Sequence, residues 1–182
     1  MSVEIRLATE EDYEQCVRLL SVLRASTGGE DNSSEKPTEI NRVVYDDMIK
    51  GDRGLVLVAE EEGALLGMSS ISFNLALRYE QSYCQLEELV VDSSARGKNV
   101  GGLLVSAAVE QAREAGCNDF GLYLMPQTEH NRPFYEKYGF DFENKDTDFR
   151  ITNSFDGLLL RIQNNSFLKK HESWNHRRKW TL

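Results

Sequence analysis

No apolar run in this chain of 182 residues approaches the roughly 20 residues that a membrane-spanning helix needs, so no membrane partner is expected. The opening MSVEIRLATEEDYEQ lacks a basic stretch followed by an apolar core, the pattern of a secretory signal, and a soluble, cytoplasmic protein is expected. Cysteine is scarce. Cys16, Cys84 and Cys117 are odd in number and show no C-x-x-C spacing, which argues against both a disulfide framework and a zinc site and leaves small buried hydrophobes as the ordinary reading. Only three histidines occur, and His171 and His176, five apart, fall off one helical face, so no metal is expected. Internal repeats are absent. So is a Walker loop: Gly102 is followed by Leu103 and Leu104 rather than Lys-Ser/Thr, which disfavours a nucleotide triphosphatase.

Positive charge is also short, except at one end. The net charge is −9, while the last twenty residues hold five bases against one acid, a surplus of four that leaves −13 on the first 162. Such a body repels nucleic acid and concentrates cationic small molecules, so amines are better candidate substrates than polyanions. With 40% apolar and 28% charged residues, one folded domain is expected.

Alternation in VEIRLAT predicts a first strand, and Thr9 opens a helix to about Leu23 with Cys16, Leu19, Leu20 and Leu23 on one stripe. ASTGGEDNSSEKPTE reads as a surface loop before a second helix ending near Lys50. LVLVAE and LLGMSSISFNLALR, joined at Glu61, Glu62 and Gly63, predict a hairpin. YCQLEELVVD is a further strand. A helix from Gly101 to Ala115, the strand FGLYLMP, a short helix in NRPFYEKYG and a bent last strand, FDFENKDTDFRI, follow. This order implies an α/β fold (α+β), a mixed sheet flanked by helices on both faces, over residues 1–152. Residues 153–182 read as an extension in which GLLLRI adds a strand and KKHESWNHRRKW a basic tail, with Trp174 and Trp180 docking on the domain.

Between the YCQLEELVVD strand and the helix after it lies ARGKNVGG. Its glycines, at positions 97, 101 and 102, allow consecutive N–H groups to face a ligand, at the positive end of a helix dipole. Arg96 and Lys98 add charge, and Asn99 tolerates a left-handed backbone. Together these features make a phosphate cradle, although a glycine-rich turn can equally be a tight helix entry.

SSARGKNVGGLL resembles the coenzyme A pyrophosphate loop of the GCN5-related N-acetyltransferases, preferred form R-G-x-G-[IV]-G, with Arg96, Gly97, Val100 and Gly101 in place and Asn99 at the middle glycine. NRPFYEKYGF resembles that family's late motif, with Tyr135, Gly139 and Phe140. The resemblance implies a cofactor, acetyl-CoA, held by the backbones of Leu89, Val90 and Val91, by Arg96, Gly97, Lys98, Asn99, Val100, Gly101 and Gly102, and by Asn131. It implies that the pantetheine arm lies where the strand before the loop splays from the next. It also implies a homodimer across the late strands.

Glu87 and Glu88 end the apolar strand beside the expected thioester. Polyamine-type members of the family carry a similar acidic pair, and by that match Glu87 is the expected base or amine-orienting group and Glu88 its support. Alternation along a regular strand would send only one of them into the cleft. Tyr135, titrating near pH 10, suits a general acid for the leaving thiolate, with packing against the sheet as the ordinary alternative. Cys84 as an acetyl acceptor is the weaker reading against a core cysteine. The function expected is transfer of an acetyl group to a primary amine of a small molecule by direct attack in a ternary complex. The alternative is a non-catalytic sensor that binds CoA or acetyl-CoA.

Overall fold

The computed structural model describes residues 2–26, 42–75, 77, 82–117, 119–124, 126–142 and 158–163; expectations for Pro37, His171, His176, Trp174 and Trp180 lie outside them. Its strands are β1 (Glu4–Leu7), β2 (Gly54–Glu61), β3 (Ala64–Asn74), β4 (Tyr83–Val91), β5 (Asp119–Leu124), β6 (Asp141–Phe142) and β7 (Leu158–Gln163). The helices are α1 (Tyr13–Ser26), α2 (Arg42–Lys50), α3 (Val100–Glu114) and α4 (Arg132–Glu136). They form a mixed α/β fold around one seven-stranded sheet, ordered β1-β2-β3-β4-β5-β7-β6. Among the described strands every pairing is antiparallel except β4 with β5, which are joined by the crossover helix α3. The expected hairpin is present, turned by Glu62 (φ 53°) and Gly63 (φ 82°). Within the segment expected to add a strand, Leu158–Gln163 forms β7, inserted between β5 and β6.

Two cores lie on opposite faces of the sheet. On one, α1 and α2 bring Cys16, Leu19 and Tyr45 against Val56, Val58, Met68 and Val90. On the other, α3 sets Val100, Leu104, Val105 and Ala108 over Leu55, Leu57, Ile71, Leu86 and Phe120. A one-turn 3-10 helix, Glu10–Asp12, precedes α1, and the buried Asp12 takes two hydrogen bonds from Arg6 at 2.7 and 2.8 Å. No helix among the described residues is long and apolar enough to cross a membrane.

The cysteines depart from the expectation of three unpaired, buried thiols. Cys84 and Cys117 form a disulfide, with Cα atoms 6.0 Å apart, and only Cys16 is free. Spacing along the chain could not show this, because the parallel return from β4 through α3 to β5 brings together residues 33 apart. Cys84 is nonetheless fully buried, as a core cysteine should be. The disulfide leaves it no thiol to accept an acetyl group.

Candidate active site

The glycine turn is built from its entry onward. Asp92 caps a 3-10 turn, Ser93–Ala95, by accepting from the Ser94 N–H at 2.9 Å and hydroxyl at 2.8 Å, and Arg18 of α1 pairs with the same carboxylate. These bonds hold the Asp92 carboxyl down at about 2, the Ser94 backbone contributing most. The chain then needs two left-handed residues, Gly97 (φ 83°) and Asn99 (φ 57°), before α3 starts at Val100. The N–H groups of Gly97, Asn99, Val100, Gly101 and Gly102 find no acceptor among the described residues, while the Lys98 N–H returns to Ala95. A cluster of unpaired donors at a helix N-terminus fits a phosphate.

The side chains of the turn divide. Arg96 is exposed, Lys98 is ion-paired to Glu61 at 2.5 Å, and Val100 is buried in the core, so its backbone alone remains for a ligand. Helix α4 closes on the turn from outside. A Cβ added to Gly101 would stand 3.4 Å from Phe134 Cζ and 3.5 Å from Val91 Cγ2, and one on Gly102 would collide with the Tyr138 hydroxyl. The two sequence motifs, 96–102 and 131–140, therefore meet in space. Asn131 is exposed at the start of α4 and makes no capping bond with its side chain.

Beside the turn the sheet opens. β4 pairs with β5 from Tyr83 to Leu86 only, then continues to Val91 while β5 follows β7 through Tyr123 and Leu124. Beyond Leu86 the two strands part, as expected. The Asp92 N–H bonds to Leu66 on the β3 side, so alternation turns the Leu89 and Val91 N–H groups toward the open side. Val90 instead buries its side chain in the α1-side core.

The carboxylates occupy the α1 face of this opening. Pairing of β3 with β4 runs Ser70 to Glu88 and then Ile71 to Leu86, leaving Glu87 as the extra residue of a bulge. In a regular strand Leu86 and Val90 would share a face, yet they belong to opposite cores. The bulge thus places both glutamates on the α1 side, where alternation alone would have separated them. Ser70 donates to Glu88 Oε2; Ser72 donates to Glu87 Oε1 at 2.5 Å and Gln85 to Glu87 Oε2 at 3.2 Å. Their surroundings differ. Burial raises the Glu88 pKa, the Ser70 bond opposes that, Glu87 adds to it and Arg24 of α1 opposes it. Glu87 is exposed.

Tyr135 projects from α4 into an aromatic group, its ring 5.0 Å from Phe134 and 5.9 Å from Phe140. Burial pushes its phenol up to about 12, so it keeps its proton at every working pH. Packing and proton donation are compatible at this position. Ser70, Ser72 and Arg24 are the site residues that sequence reasoning missed. Serines at 69, 70 and 72 in an otherwise apolar central strand were the available signal.

A family model described as the acetyltransferase (GNAT) family matches residues 17–140. The "Probable glucosamine 6-phosphate N-acetyltransferase 2" of Oryza sativa subsp. japonica is 33% identical over 147 residues, which are 76% of this chain and 82% of that protein. The aminoalkylphosphonate N-acetyltransferase of Salmonella typhimurium is 30% identical over 95 residues, 52% of this chain and 59% of its own length. In fold, the crystal structure of the PaiA N-acetyltransferase from Thermoplasma acidophilum, in complex with coenzyme A, matches with a TM-score of 0.68 and 20% identity, over 90% of this chain and 99% of that one.

Proposed function

The chain belongs to the GNAT acetyltransferase family, and from that premise we propose that it transfers the acetyl group of acetyl-CoA directly to a primary amine of a small molecule. The observation that carries this reading is the opening between β4 and β5, with unpaired N–H donors at one end and two carboxylates on one face. Glucosamine 6-phosphate and the aminoalkylphosphonates, named for the two relatives, are small primary amines, which supports the acceptor class.

Acetyl-CoA would supply an activated acyl group as its thioester. Gly97, Asn99, Val100, Gly101 and Gly102 hold its pyrophosphate through backbone N–H groups, with Arg96 as an exposed cation beside them. The Leu89 and Val91 N–H groups are the donors available to the arm and to the acyl oxygen, fixed in place before reaction. An alkylammonium ion must lose a proton before its nitrogen can attack, and Glu88 takes that proton. This assigns the base to Glu88 and amine orientation to Glu87, the reverse of the match to polyamine-type enzymes, because a carboxylate drawn out of water is the stronger base. The second proton, shed as the amide forms, balances the departing thiolate. The Tyr135 hydroxyl serves as hydrogen-bond donor to that sulfur, since its raised pKa favours donation without release.

Thiol release from acetyl-CoA, followed with a panel of a diamine, an amino sugar phosphate and an aminoalkylphosphonate, tests the reading. Amine-dependent release with one acetamide formed per thiol is the expected result. Calorimetric binding of acetyl-CoA with no release on any amine would overturn it in favour of the sensor.

A further inference from the structure

β3 buries two neighbouring serines whose hydroxyls meet opposite fates. Ser69 is fully buried on the α3 side, between Leu57 and Leu89, and its hydroxyl has no partner among the described residues. Ser70, 3% exposed, faces the α1 side directly across from Glu88 and donates its proton to Oε2 of that carboxylate. Oε1 has no hydrogen-bond partner among the described residues. One oxygen of Glu88 is anchored and the other is left for an incoming N–H. Because the bulge at Glu87 breaks the strand's periodicity here, β4 alone does not determine where the Glu88 side chain points. The anchor has to come from β3.

We propose that Ser70 is a positioning residue of the acetyl transfer, its hydroxyl anchoring one oxygen of Glu88 so that the other faces the acceptor amine. The proposal rests on the assignment of Glu88 as the base. The charged groups acting on Glu88 are Glu87 on its own strand and Arg24 from the last turn of α1. Ser70 is the neutral member of the set, and its bond favours the ionised carboxylate against burial and against Glu87. Without it, Glu88 holds its proton to higher pH and is free to rotate. No covalent step is added: Glu88 gains one proton from the ammonium and returns it to solvent, while Ser70 keeps its own throughout.

The test compares wild type, Ser70→Ala and Ser70→Thr by two readouts. The first is the titration of the Glu88 side-chain carboxyl by carbon NMR in the free protein, identified by its loss in Glu88→Gln. The second is the pH profile of kcat/KM with an accepted amine at saturating acetyl-CoA. Ser70→Ala should move the Glu88 titration and the acidic limb upward together and lower kcat/KM about tenfold on that limb, the effect of one hydrogen bond to a charged group. The KM for acetyl-CoA should stay constant, and Ser70→Thr, which keeps the hydroxyl, should restore both readouts. A Glu88 titration unmoved in Ser70→Ala overturns the proposal. So does Ser70→Ala turnover at the wild-type level, with its acidic limb in place, while the Glu88 titration moves. Absence of amine-dependent thiol release in the wild type overturns the acetyl-transfer reading instead, and the two failures are thereby distinguished.

Discussion

Asp12 and Glu88 are two carboxylates partly withdrawn from water in one chain, and their surroundings push them in opposite directions. At the corner where β1 meets α1, Arg6 grips Asp12 with two nitrogens, while the Thr9 N–H (2.8 Å) and hydroxyl (3.1 Å) donate to the same carboxylate. Arg6 also reaches Glu60 on β2. The result is a carboxyl pKa lowered from its ordinary value, chiefly because of the Arg6 hydrogen bond. At the centre of β4, Glu88 has one neutral donor, a like charge next door and a cation acting at a distance, and burial dominates. A buried acid with a full complement of donors is a structural joint. One with a single donor and a free oxygen holds its proton more tightly and is suited to chemistry.

The two carboxylates should differ most in catalysis. Glu88→Gln should lower kcat/KM for an accepted amine by about 10²- to 10⁴-fold near pH 7, with part of the loss recovered at higher pH, where more of the amine arrives neutral. Asp12→Asn should leave the turnover of folded molecules unchanged in the same assay.

Stability should show the reverse. Asp12→Asn leaves Arg6 half-paired at a buried joint and should cost about 2 kcal/mol in urea unfolding near pH 7, whereas Glu88→Gln should cost nothing. An equal loss in both would mean that the two sites do not differ in kind.

A smaller effect sharpens the contrast within the bulge. Glu87 is exposed and already shared by Ser72 and Gln85, so Glu87→Gln should lower kcat/KM less than about tenfold, mainly through the amine KM. A larger loss than in Glu88→Gln would return the base to Glu87.

The smallest effect is the pH dependence of stability, where the two carboxyls act with opposite sign. Asp12 has a depressed pKa when folded, so its contribution is present above the ordinary carboxylate range and is lost as pH falls through that range and below. Glu88 has a raised pKa when folded, so its ionisation removes stability as pH rises from the ordinary value through the raised one. Unfolding free energies from about pH 3 to about pH 8 should flatten on the acid side in Asp12→Asn. In Glu88→Gln they should be lifted on the neutral side, and the double variant should show both changes.

Local chemistry was legible along the chain. Asn99 announced left-handed backbone before a helix and Gly63 a hairpin turn, and each carries the positive φ that its residue type tolerates or that the turn requires. The apolar stripe of α1, with Cys16 and Leu19 fully buried, followed from a period of 3.6 residues. The paired glutamates were visible as chemistry, and the serines opposite them were visible only as an anomaly in a buried strand.

Residue type and periodicity therefore determined the elements, the glycine turn and the acids beside it, because propensity and alternation act over a few neighbouring residues. Tertiary structure decided what depends on partners far along the chain. It inserted β7 between β5 and β6, joined Cys84 to Cys117 across 33 residues, and bulged β4 so that Glu87 and Glu88 share one face. Register is set by the pairing strand and by what each face must bury, so a one-residue slip reverses every side chain beyond it, and nothing in LEELVV alone records which face that will be.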